Sequence, residues 1–211
     1  MVPWSSGTVG RRALWLLVIV TAVTGCRDRG TPPSRGAWHR MPLPVRRLLV
    51  LAPHPDDEVL AAAALIARTR EAGGAVHVVV ATDGEAGVNR TRAADLRAAR
   101  RAETRRALGD LGVAPTDVEF LGYADAGLAA AWSERWRTAR GDGDDVAGAA
   151  VVDALRAAFR AARPDTVVLP MPVDAHPDHR ALGCFALLGL LGERPAPETA
   201  LLTYLIHGSG G

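Results

Sequence analysis

The sequence predicts an α/β protein: a Rossmann-like three-layer sandwich with a mainly parallel sheet and its site at the carboxyl ends of the strands. Three observations predict it. The chain has 211 residues, 48% of them hydrophobic, which suits one domain with a substantial core. Short continuous apolar runs alternate with helix-like segments, the pattern of parallel strands buried on both faces and joined by crossover helices. Two clusters of acidic residues and histidine directly follow two of those runs, where open α/β sheets place their sites.

The elements follow in order. Residues 48–52 (LLVLA) read as a first strand and the Ala-rich 57–71 as a helix. Residues 75–81 (AVHVVVA) read as a second strand, followed by a long Arg/Ala/Glu helix over 93–111 that ends at Gly112. A third strand covers 118–121 (VEFL), and a helix over 146–162 stops before Pro164. Residues 166–169 (TVVL) form a fourth strand, 179–191 a helix and 201–206 a fifth strand. The stretch 129–148, rich in Trp, Arg and Asp, reads as a loop that shapes specificity.

Residues 1–26 read as a lipoprotein-type signal peptide. Arg11 and Arg12 precede the apolar run 13–23, and Cys26 follows Thr24-Gly25 where that run ends. The run is short for a transmembrane helix, which takes about 20 apolar residues. Cys26 is therefore the expected lipidation site, and the expected localisation is extracytoplasmic, anchored to a bacterial membrane or secreted. Residues 27–45, with Gly30, Pro32, Pro33, Gly36, Pro42 and Pro44, read as a flexible tether. The folded domain is expected over 46–211. The chain stops at His207-Gly-Ser-Gly-Gly just after an expected strand, so a domain cut short is also expected. With Cys26 lipidated, Cys184 lacks a partner and reads as a small core residue, not a thiol nucleophile.

The 25 basic residues are all Arg and alternate with acids, for a net charge of +2. That excludes a nucleic-acid-binding surface.

The chemistry gathers in Ala52-Pro-His-Pro-Asp-Asp-Glu58 after the first strand and Val173-Asp-Ala-His-Pro-Asp-His-Arg180 after the fourth. A helix cap accounts for one acid at such a place. It does not account for His54 beside Asp56, Asp57 and Glu58, nor for His176 and His179 flanking Asp178. In a parallel sheet both strand ends lie along one edge, so the clusters are expected to share a metal. Two imidazoles and one carboxylate with an open position make a catalytic zinc pattern. The same set also holds ferrous iron, Fe2+.

The segment APHPDDEVL with the later HPDH resembles the PIG-L/LmbE-like family of zinc N-deacetylases. The resemblance continues through Thr82-Asp-Gly-Glu-Ala-Gly87, the pair Arg100 and Glu103, and Leu121-Gly-Tyr-Ala-Asp125, and spans about 46–207. Pro53 replaces the commoner Ala before the histidine. The resemblance implies that His54, Asp57 and His179 bind Zn2+. It makes Asp56 the base that takes a proton from the attacking water. It makes His176 the group that stabilises the acetamide oxygen as negative charge develops there. The proton donor to the leaving amine stays open between His176 and Asp56. Asp178 is expected to orient a histidine from behind the ligands, and Glu58 to cap and support the helix start. Arg100 and Asp125 match sugar-contacting positions of mycothiol-pathway members. A solvated helix face for Arg100 and a turn cap at Gly127 for Asp125 are the competing readings. Another substrate-contacting acid of those members falls at Val88, which departs from a shared mycothiol substrate.

The implied function is zinc-dependent de-N-acetylation of an N-acetylglucosamine-type sugar or conjugate, the substrate being a small molecule, glycan or glycolipid. The membrane is reached through Cys26. One alternative is a non-catalytic glycan-binding lipoprotein, which has no use for Asp56 beside the ligands. The other is a hydrolase of a non-sugar amide, which calls for an apolar channel. His77 reads as a core residue, His207 is not assigned to the site, and Trp132 and Trp136 are expected in core packing.

Overall fold

The computed structural model describes residues 44–89, 93–133, 137–139, 145–193, 196 and 198–208. The signal-like segment with Cys26, the tether up to residue 43, and Trp136 lie outside the described residues.

The elements run β1 (Arg47–Ala52), α1 (Asp57–Glu71), β2 (Ala75–Thr82), α2 (Leu96–Asp110) and β3 (Val118–Tyr123). Then come α3 (Gly127–Trp132), β4 (Arg137–Ala139), β5 (Asp145–Ala147), α4 (Gly148–Ala162), β6 (Thr166–Pro170), α5 (Pro177–Glu193) and β7 (Ala200–Tyr204). Five strands form one parallel sheet in the order β3-β2-β1-β6-β7. The side chains of β1 explain the layering. Leu49 and Leu51 enter a core shared with Leu155, Phe159, Leu182 and Phe185 of α4 and α5. Leu48, Val50 and Ala52 enter a second core with Ile66 of α1 and Leu108 of α2. A strand buried on both faces reads as an unbroken apolar run, as LLVLA does.

The winding places the site. The chain moves outward from β1 to β3, then returns to β6 on the other side of β1. Connections leaving β1 and β6 therefore diverge to opposite faces and open a crevice at their carboxyl ends. Both His-Pro-Asp segments lie there.

Several boundaries differ from the sequence expectation for visible reasons. Helix α2 starts at Leu96, not 93, because Asp95 caps it and accepts from the Ala98 N–H. Helix α4 starts at Gly148 because Asp145–Ala147 pairs antiparallel with Arg137–Ala139. The expected loop over 129–148 thus carries most of α3 and a hairpin. Helix α5 starts at Pro177, two residues early, with proline in its favoured first position. Strand β7 ends at Tyr204 because the Ile206 and His207 N–H groups turn to the Asp174 carboxylate. Trp132 is not a core residue: it is partly exposed, with its ring edge-on to Phe185 at 4.9 Å. His77 is only half-buried, 3.5 Å from the Glu119 carboxylate.

Candidate functional site

The exit from β1 is tied down before the chemistry begins. The Pro53 carbonyl accepts from both the N–H and the hydroxyl of Thr82 at the end of β2. Asp56 then takes φ 116, a conformation that L residues rarely adopt. Its side chain makes no helix cap. Instead the Glu58 carboxylate accepts from the Asp56 N–H at 3.0 Å, which supports the first turn of α1 from inside.

Asp57 is the meeting point. Its Oδ2 accepts from the His54 N–H at 3.0 Å and lies 3.2 Å from His54 Nδ1 and 3.1 Å from His179 Nε2. Neighbouring ligands of a tetrahedral zinc with bonds of about 2.0–2.1 Å stand about 3.3 Å apart. His179 is fully buried, and neither of its ring nitrogens makes an aligned hydrogen bond within the protein. A fully buried imidazole 3.1 Å from a carboxylate, with no aligned hydrogen bond at either nitrogen, suits a metal ligand. Donor atoms of His54, His176 and His179 lie within 4.8 Å of one another, as do those of His54, Asp125 and Asp178. The site thus holds more metal-binding groups than three, and Asp57 lies against both His54 and His179.

Electrostatics point the same way. Burial opposes a charged His54, yet hydrogen bonds to Asp125, Asp178 and Asp57 push its pKa up to about 11. Burial also opposes a charged Asp57, but His179 and His54 hold it well below the usual carboxylate range. Three carboxylates face His54, and a divalent ion bound there would take over the charge that its ring otherwise carries. Asp56 is raised above its ordinary value by burial and by the Asp57 charge, against the pull of Arg100. His176 is lowered by burial and by the neighbouring His54 and His179.

The far side of His54 is held by carboxylates. Its Nε2 lies 3.2 Å from Asp125 Oδ1 and 3.4 Å from Asp178 Oδ2. Asp178 is buried, and its other oxygen accepts from the Ala129 N–H. Its own N–H donates to His176 Nδ1 at 3.3 Å. Asp125 does not cap the turn at Gly127, since α3 has no side-chain cap. It accepts from the Ala86 N–H and faces His54 instead. Nor is Arg100 on a solvated helix face: it donates to Asp56 Oδ2 at 3.0 Å and to the Gly84 carbonyl at 2.8 Å.

His54, Asp56, Asp57, Arg100, Asp125 and His176 line one cleft of about 230 Å³, together with Leu60, Ile206 and His207. Glu58, Asp178 and His179 are fully buried behind them. Three residues were not read from the sequence as part of this arrangement. His207 packs its ring 4.8 Å from His179 and 5.2 Å from His176, so the strand-end histidine left unassigned does reach the cleft. Asp174 is fully buried, with Oδ2 3.3 Å from His179 Nδ1. Asp83 is buried where β2 ends, accepts from Arg101 and forms an ion pair with Arg97 of α2. The signal for both acids was their place in the segment that follows a strand.

Fold and site together define an α/β protein with a His/Asp metal-binding group at the switch point of its sheet. The sequence pattern of the PIG-L family, described as GlcNAc-PI de-N-acetylase, matches residues 49–188, and the chain belongs to that family. It is 34% identical over 168 residues to the 1D-myo-inositol 2-acetamido-2-deoxy-alpha-D-glucopyranoside deacetylase of Kineococcus radiotolerans, covering 70% of this chain and 45% of that protein. Among solved structures it resembles N,N'-diacetylchitobiose deacetylase from Pyrococcus horikoshii, with TM-score 0.55 and 27% identity over 70% of this chain and 50% of that one. It also resembles the 4-carboxy-2-hydroxymuconate hydratase of Pseudomonas putida, with TM-score 0.53 and 25% identity over 74% and 62% of the two chains. The chain spans between 45% and 64% of the length of the curated relatives it matches.

Proposed function

We propose that this protein is a zinc-dependent N-deacetylase acting on an N-acetylglucosamine-type sugar or conjugate. One observation carries the reading: Asp57 Oδ2 lies 3.2 Å and 3.1 Å from two imidazole nitrogens, with a second carboxylate, Asp56, beside it on the open cleft. The names of the relatives, deacetylases of an inositol glucosaminide and of diacetylchitobiose, support an acetamide on a sugar as the substrate.

His54, Asp57 and His179 would hold the zinc. When bound, the ion supplies Lewis acidity, which lowers the pKa of water toward neutrality and polarises a carbonyl. The protein's own groups do the rest. Asp56 accepts the proton of the attacking water at its carboxylate. His176, across the cleft from Asp56, donates to the acetamide oxygen as charge develops there. Asp56, once protonated, delivers its proton to the leaving amine. Arg100 fixes Asp56 and stands ready for substrate hydroxyls. Asp125 and Asp178 accept from His54 Nε2, which would leave the Nδ1 lone pair for the metal. The signal-like N-terminus supports an extracytoplasmic, membrane-anchored protein lipidated at Cys26. Palmitate labelling that disappears in Cys26→Ser would bear this out, and absence of labelling in the parent chain would count against it.

The test of the activity is release of free amine from N-acetylglucosamine conjugates. Release should stop on chelation and return with zinc. The hydratase relative carries a second reading, addition of water to a carbon–carbon double bond. That reading predicts no amine from any acetamide, with consumption of an unsaturated acid instead.

A further inference from the structure

The rim of the cleft is apolar where its floor is charged. Leu60, 68% exposed, stands in the first turn of α1 and lines the cleft directly. Val88, 82% exposed, follows the cleft residue Gly87 in the loop after β2. Val173, 72% exposed, precedes the buried Asp174 in the loop after β6. Ile206, just past β7, completes the lining. All four occupy segments that leave the carboxyl ends of the sheet. The other large apolar side chains exposed among the described residues, apart from Leu205 beside Ile206, are Trp132, Leu188 and Leu191 on α3 and α5. Scattered exposed aliphatics are ordinary on a protein surface; here Leu60 and Ile206 line the cleft, and Val88 and Val173 each adjoin a residue of the site in sequence.

A second hollow of about 260 Å³ adjoins the cleft and shares Asp56, Leu60 and Arg100 with it. Pro55, Val59 and Ala107 continue its apolar wall, and Glu58, Glu103 and Thr104 line it as well. An apolar group attached to a ring seated over Asp56 therefore has a continuous path outward across Leu60.

We infer that Leu60, Val88 and Val173 are specificity-determining residues, and that they select a substrate whose group beyond the N-acetylated ring is apolar: an amphiphilic glycoside with an alkyl or aryl aglycone. This rests on the de-N-acetylase reading for the ring itself. The rim contributes binding through burial of methylene groups, and each methylene moved from water to the rim tightens binding severalfold.

Calorimetry on the zinc-loaded Asp56→Asn protein, in which turnover is suppressed, would compare methyl and octyl β-N-acetylglucosaminide, the latter below its micellar concentration. The octyl glycoside should bind at least tenfold tighter, the effect of burying about two methylenes. The ratio should fall toward one in Val88→Glu and in Leu60→Ser, with circular dichroism confirming that both variants fold. Equal affinities in Asp56→Asn with the rim intact would overturn the inference. So would a ratio unmoved by either variant, which would assign the rim to a protein or membrane surface. The affinity ratio is read without turnover. Amine release from the methyl glycoside separately tests the de-N-acetylase reading, so either can fail alone.

Discussion

Asp56 joins backbone strain to chemistry in one residue. Its φ of 116 costs free energy in any L residue, and the carboxylate it presents lines the open cleft. Glycine adopts that conformation without a Cβ penalty. Asp56→Gly should therefore be more stable than Asp56→Ala by about 1–2 kcal/mol, with amine release abolished in both. Urea unfolding of the two variants measures the difference, and equal stabilities would show that the backbone there is unstrained. Asp174 acts more quietly. It accepts from the N–H groups of His176, Ile206 and His207 while its Oδ2 faces His179 Nδ1. Asp174→Asn should lower zinc affinity by about 10–100-fold, as loss of a carboxylate behind a ligand histidine does. Competition with a chromophoric chelator gives the affinity, and an unchanged value would reduce Asp174 to a loop staple.

At the scale of elements, close packing of α5 on β6 sets the position of His179. A Cβ added at Gly183 would lie 2.5 Å from the Pro170 carbonyl, so backbone meets backbone there. Gly183→Ala should destabilise by about 1–3 kcal/mol despite alanine's better helix propensity. Gly109 of α2 has nothing within 4 Å of such a Cβ, and Gly109→Ala should stabilise by up to about 1 kcal/mol. Thermal unfolding of the pair checks the opposite signs. The same contrast explains what could be read from one dimension. The buried strands announced themselves as unbroken apolar runs, and the two His-Pro-Asp clusters as acid and imidazole at strand ends. Helix α3 and the β4–β5 hairpin did not, because six and three residues are too few to carry a period. Asp125 facing His54 and Asp174 facing His179 were illegible for another reason. The first depends on how the loop after β3 docks over the end of β1, and the second on how the loop after β6 folds back against α5, which residue spacing does not specify.

For the whole molecule, the buried acids make stability depend on pH. Burial of Glu58 pushes its pKa up to about 6 from an ordinary 4.5. A carboxyl raised in the folded state stabilises while protonated. Its contribution is complete below about pH 4.5 and is lost as pH rises through about 6. Relative to Glu58→Gln, the metal-free protein should lose about 2 kcal/mol across that window. Denaturant unfolding at pH 4 and pH 7.5 checks it, and a difference independent of pH would contradict it. The molecule accepts this cost because the charged cluster lies where the sheet divides and where a cation binds. The central claim is that metal binding and proton transfer belong to different carboxylates, Asp57 and Asp56. The most direct test is the zinc content and amine release of Asp56→Asn. The account predicts one zinc per chain, as in the parent protein, with amine release lowered by about 10²–10⁴-fold. Loss of the zinc along with the activity, or release that persists with zinc bound, would contradict it.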